Sequence, residues 1–138
     1  FWHLAGNMLI LVLVLQLNAS WLRGWAFAAL YAMSAIGGGV AFAVLGSVLH
    51  PMVGASGALF GLIGAWRWHE WAAVPDMADR CLMALRDSAL LAGLNALYWT
   101  LQSGSLAWEA HLGGYLTGIL AAAALHWFRS RRLAARHL

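Results

Sequence analysis

Long apolar runs separated by short polar breaks divide the chain, and that alternation predicts five helices. Phe1 to about Leu17 is the first run, closed by Asn18-Ala-Ser-Trp-Leu-Arg-Gly24. Trp25 to about Leu45 is the second, with Gly37-Gly38-Gly39 inside it, where small residues admit a close neighbour. A loop from Gly46 to Ala55 leads into the third, Ser56 to about Trp71, and the longest polar break, Ala72 to Arg80, follows. The fourth run is about Cys81 to Leu101, its early turns polar at Arg86 and Asp87, and Gln102 to Trp108 joins it to the fifth, about Glu109 to Phe128. Runs of roughly 17 to 25 apolar residues match a hydrocarbon core about 30 Å thick. The expected fold is therefore an all-α polytopic transmembrane helix bundle over residues 1–128, with a basic cytoplasmic tail over 129–138.

Composition agrees with that pattern. Of 138 residues 63% are hydrophobic and 9% charged, which is not the make-up of a soluble domain. Every basic residue is Arg, and no basic run is interleaved with polar surface before the tail, so nucleic acid is not an expected partner. Cys81 is the single cysteine, which excludes an intrachain disulfide and a Cys-based metal cluster. Neither a metal nor another cofactor is expected. Phe1 begins inside an apolar pattern with no basic stretch before it, so an earlier element is expected upstream rather than a cleaved signal.

Alternating spans assign each break to one side of the membrane, and the charges then fall into order. Arg23, Arg67, Arg80, Arg86 and the four tail arginines all lie on one side. The opposite loops, Gly46 to Ala55 and Gln102 to Trp108, contain none, so by the positive-inside rule they face away from the cytoplasm. A bacterial inner membrane is the expected setting.

On the Arg-free side three helix starts carry polar groups: His3 and Asn7 on the first, Ser56 on the third and His111 on the fifth. Polar groups in membrane helices are costly unless they face the bundle interior, and their coincidence at one depth points to chemistry. For a lone Ser at a helix start the ordinary reading is a cap. The functional reading makes Ser56 a nucleophile and His111 its base, because a serine is weakly nucleophilic until a neighbouring group takes its proton. From Ser56 to Trp71 the third run extends about 24 Å at 1.5 Å per residue, short of the core thickness, which places Ser56 below the outer surface. Helix starts also offer free N–H groups to a developing oxyanion, and His3 and Asn7, four residues apart on one face, are candidates to add donors. Gly57-x-x-x-Gly61 in the third run and Gly114-x-x-x-Gly118 in the fifth give each a bare face for close approach, the contact Ser56 and His111 need.

These residues resemble the rhomboid family of intramembrane serine proteases. The resemblance rests on His3-x-x-x-Asn7, on Pro51-x-Val-Gly54-Ala-Ser56-Gly57-Ala-x-Phe60-Gly61-Leu-x-Gly64-Ala65, and on Ala110-His111-x-x-Gly114-x-x-x-Gly118. It implies a six-span core, of which this chain matches spans two to six. It also implies a Ser56–His111 dyad without a third acidic member, an oxyanion site of His3, Asn7 and the Ser56 amide, and Gly54, Gly57, Phe60, Gly61, Gly114 and Gly118 packed near it. Phe60 stands where some members stack a Tyr on the catalytic His. The implied partners are single-pass transmembrane substrates entering sideways from the lipid, cut within or beside their membrane segment. Two other readings compete with it: a non-catalytic rhomboid-like protein that binds transmembrane helices for sorting or degradation, and a small transporter or channel subunit. The first typically lacks the serine or histidine, and the second predicts polar residues at several depths.

Among the remaining polar residues His50, in the loop before Ser56, reads as a loop or gating residue, while His69, His126 and His137 fall on the Arg-rich side and read as interfacial. Glu109 suits the first turn of the fifth helix. Asp76, Asp79 and Glu70 lie near Arg67 and Arg80 as a solvated cluster, and Trp2, Trp21, Trp25, Trp71, Trp108 and Trp127 fit an aromatic belt.

Overall fold

The computed structural model describes residues 2–22, 24–46, 55–101 and 106–135. The chain is all-helical there: α1 Trp2–Asn18, α2 Trp25–Leu45, α3 Ser56–Ala72, α4 Met77–Leu101 and α5 Trp108–Ala134. The bounds of α1, α2 and α3 fall within a residue of the apolar runs, because hydropathy and helix coincide where a helix is apolar throughout. The last two differ. Asp76 bonds the Asp79 amide at 2.9 Å, a cap that starts α4 four residues before the apolar run does. α5 continues past Phe128 through the first tail arginines to Ala134, since nothing between them breaks a helix. By length and composition α2 alone, among the described residues, is long and apolar enough to cross a membrane; α1 is apolar but shorter.

α3 stands at the centre. It makes its broadest contact with α5, then with α2 and α1, and α2 also lies along α5. α4 touches the others least, and none of its residues is buried. Side chains are sorted unusually for a globular domain. Glycines, Ala58, Ala65, Ser34, Asn18 and Asn7 are inside, whereas Leu4, Leu9, Ile36, Val44, Leu90 and Leu120 face outward. An apolar exterior around a small-residue interior is what a lipid solvent favours, because it offers no hydrophobic gain for hiding leucines.

Close backbone approach builds that interior. A Cβ on Gly114 would strike the Gly57 carbonyl, and one on Gly118 the Gly61 carbonyl. The two small-residue faces therefore run in register, 57 with 114 and 61 with 118, and the helices are parallel. α2 joins through Gly38, where an added Cβ would stand 2.8 Å from the Ala110 oxygen. Toward the other end a conventional core takes over, with Val14, Leu22, Leu30, Leu59, Leu62, Ala65 and Ala122 packed together. Asn18 ties α1 to it, donating to the Val14 carbonyl at 2.7 Å and the Leu62 carbonyl at 3.2 Å. Gly24, at φ +55°, makes the turn into α2 in a conformation that side chains resist.

Two expectations change at the arginine end. Arg67 pairs with Asp87 on α4, and not with Glu70, Asp76 or Asp79. Trp71 is 5% exposed and donates its indole N–H to Asp87 at 3.1 Å, so it belongs to this polar clamp and not to a lipid-facing belt. Trp25, by contrast, is outward at 83% exposure. Arg80 instead folds back on the Val74 carbonyl.

Candidate active site

Ser56 is the first helical residue of α3. The N-cap is Ala55, with no side-chain cap hydrogen bond, so the serine hydroxyl is not occupied in capping. It lies 2.8 Å from Nε2 of His111. His111 sits in the first turn of α5, 5% exposed, and the contact exists because Gly57 and the Ala110 carbonyl touch one residue away from each of them. Any side chain at 57 or 114 would hold the helices apart and lengthen the bond.

The imidazole is held on three sides. Phe60, one turn after Ser56 on the same face of α3, stacks flat on it with ring centroids 4.2 Å apart and planes 5° from parallel. Nδ1, on the edge opposite Ser56, lies 2.7 Å from the side-chain oxygen of Asn95 on α4. An amide oxygen only accepts, so Nδ1 carries the proton and Nε2 presents its lone pair to the Ser56 hydroxyl. That is the tautomer a general base requires.

Of the other two residues expected at the site, Asn7 is buried on α1, and His3, one turn earlier, is exposed. The Leu59 N–H bonds the Ala55 carbonyl at 3.1 Å, and the amides of Ser56, Gly57 and Ala58 precede it at the start of α3, where a helix has no intrahelical partners for its N–H groups. Glu109 is in the first turn of α5 and 9% exposed. Gly54 and His50 lie outside the described residues. His69 stacks on Trp21 at 4.8 Å and His126 is exposed, both apart from the dyad. Among the described residues no group of His, Cys, Asp or Glu is placed to hold a metal ion.

Beside His111 a cavity of about 620 Å³ opens between α4 and α5, lined mainly by apolar side chains such as Leu91, Trp99, Leu112 and Leu116. Its polar wall is Asn95, His111, Ser88 and Tyr115, the last two linked at 3.1 Å. Sequence reasoning missed Asn95. The signal was present in principle, as an amide in the middle of an apolar run needs a partner, but nothing in the run says which helix supplies it.

Comparisons with known proteins identify the family. The sequence matches the Rhomboid domain over residues 1–128. It is 35% identical over 132 residues to "Rhomboid protein 1, mitochondrial" of Saccharomyces cerevisiae, covering 87% of this chain and 37% of that protein. The chain thus spans little more than a third of the curated relative's length. No solved structure matches it. With a match over nearly its whole length, the chain belongs to the rhomboid family.

Proposed function

We propose that this chain forms the catalytic bundle of an intramembrane serine endopeptidase that cleaves membrane proteins within or beside their transmembrane segment. The observation that carries the reading is the 2.8 Å hydrogen bond between Ser56 and a His111 whose other nitrogen is already occupied. Ser56 Oγ attacks the scissile carbonyl while His111 Nε2 takes its proton. Nε2 then returns that proton to the leaving amine, and water hydrolyses the acyl-serine by the same exchange. The amides at the start of α3 receive the oxyanion, with Asn7 and His3 as further donors once substrate is bound.

Rhomboids are integral membrane proteins, and the outward leucines fit that setting. The proposed topology puts the dyad on the Arg-free, non-cytoplasmic side, below the surface because α3, with 17 residues, extends only about 26 Å. A bacterial inner membrane is the proposed location. The yeast relative is by its name mitochondrial, and the arginine distribution argues for a side more than for an organelle. The substrate must present an extended segment, since a helix hides its carbonyls from attack, and the apolar cavity beside His111 favours an apolar segment.

A serine-directed fluorophosphonate tests the reading on the full-length membrane protein. Wild type is expected to label and Ser56→Ala to remain unlabelled, while His111→Ala abolishes cleavage of a model membrane substrate and stays folded. Equal labelling of wild type and Ser56→Ala removes the nucleophile, and turnover by His111→Ala removes the base.

A further inference from the structure

We propose that Asn95 is the positioning residue of the dyad: its side-chain oxygen holds the Nδ1 proton of His111 and thereby makes base competence depend on α4 being seated. The proposal rests on the reading of Ser56 and His111 given above. Its own support is geometric. Asn95 and Ser56 approach opposite edges of one imidazole, at 2.7 and 2.8 Å, with Phe60 across its face. Without the Asn95 oxygen, a neutral imidazole divides between two tautomers. The one with a proton on Nε2 directs a donor at the Ser56 hydroxyl and cannot accept from it.

Packing gives Asn95 no other reason to be there. α4 buries none of its residues and is held to the bundle by polar pairs at three levels: Asp87 with Arg67 and Trp71, Ser88 with Tyr115, and Asn95 with His111. Ser88 and Asn95 are seven residues apart, two turns on the same face. An amide in an apolar run is costly unless it is partnered inward, and its partner here is the proposed base. During acylation the Nδ1 proton stays on the ring, bonded to Asn95, while the Ser56 proton moves to Nε2 and on to the leaving nitrogen. Displacing α4 from α5 would break the Asn95 bond and release the fixed tautomer.

The experiment uses the full-length protein with Asn95→Ala, Asn95→Asp and Ser88→Ala. Ser88→Ala removes another α4–α5 bond on the same cavity wall, and its readout is the His111 tautomer, which a merely structural loosening of α4 would disturb as much as loss of the Asn95 oxygen. The expected result is that Asn95→Ala lowers kcat about 10- to 100-fold with KM unchanged, less than the loss of the base itself. Asn95→Asp, which keeps an acceptor, is expected to retain kcat within about fivefold, and Ser88→Ala is expected to keep His111 as the Nδ1–H tautomer. Nitrogen-15 spectra of histidine-labelled protein are expected to show His111 as the Nδ1–H tautomer in wild type and in Asn95→Asp, and as a mixture in Asn95→Ala. Unchanged kcat in Asn95→Ala, the same tautomer mixture in Ser88→Ala as in Asn95→Ala, or an unchanged tautomer in Asn95→Ala each overturn the proposal. The spectra read the Asn95 bond independently of turnover. An inactive wild type with the tautomer fixed by Asn95 therefore defeats the protease reading and leaves the positioning role standing.

Discussion

α3 and α4 show two ways of attaching a helix in a bundle with an apolar exterior. α3 has 17 residues and buries Gly57, Ala58, Leu59, Gly61, Leu62, Gly64, Ala65 and Trp71. α4 has 25 and buries none. The first is held by shape, since bare glycines let backbones touch and leave no alternative register. The second is held by point contacts, each a polar group that would be unsatisfied if the helix moved. Where lipid removes the hydrophobic drive, close packing and polar bonds are what remain, and this chain assigns them to different helices. The rigid half carries Ser56 and His111; the lightly held half carries the residue that completes the imidazole's bonding.

The sharpest way to break the contrast is to put a side chain into the glycine contact. Gly118→Val places a Cβ against the Gly61 carbonyl, which is backbone and cannot step aside. The expected cost is about 3 kcal/mol or more, read as loss of folded protein in detergent melts together with all fluorophosphonate labelling. A melt like wild type would show that the helices part at little cost.

A smaller effect is expected from the clamp on α4. Arg67 and Asp87 are each 13% exposed at the side chain, and Asp87 also takes the Trp71 indole. Asp87→Ala leaves Arg67 and Trp71 without their acceptor, at about 2 to 3 kcal/mol, below the full range for a deeply buried pair. Hydrogen exchange should rise along α4 and not along α3. Uniform loss across all helices would mean that α4 is no separate unit.

The smallest effect is the control. A Cβ on Gly93 of α4 meets nothing within 4 Å, so Gly93→Ala is expected to leave activity unchanged and stability equal or raised by up to about 1 kcal/mol. Destabilisation comparable to Gly118→Val would erase the distinction between the helices.

Local properties were legible in the sequence. Apolar runs gave the helices their bounds where no polar cap intervened, and α4 began early only because Asp76 caps it. The glycine spacings at 57/61 and 114/118 pointed to a close contact before its partners were known. Coincidence of helix starts brought Ser56 and His111 to one end of the bundle, a matter of depth, which hydropathy records. Rotation and crossing of helices are not recorded there. They decide that Arg67 meets Asp87, that Trp71 is buried, and that α4 turns Asn95 toward the Nδ1 edge of His111. Which elements exist and how deep each side chain lies follow from the chain's own transfer energies. Which partner each polar group finds depends on how glycine-lined backbones settle against one another, and only the folded bundle determines that.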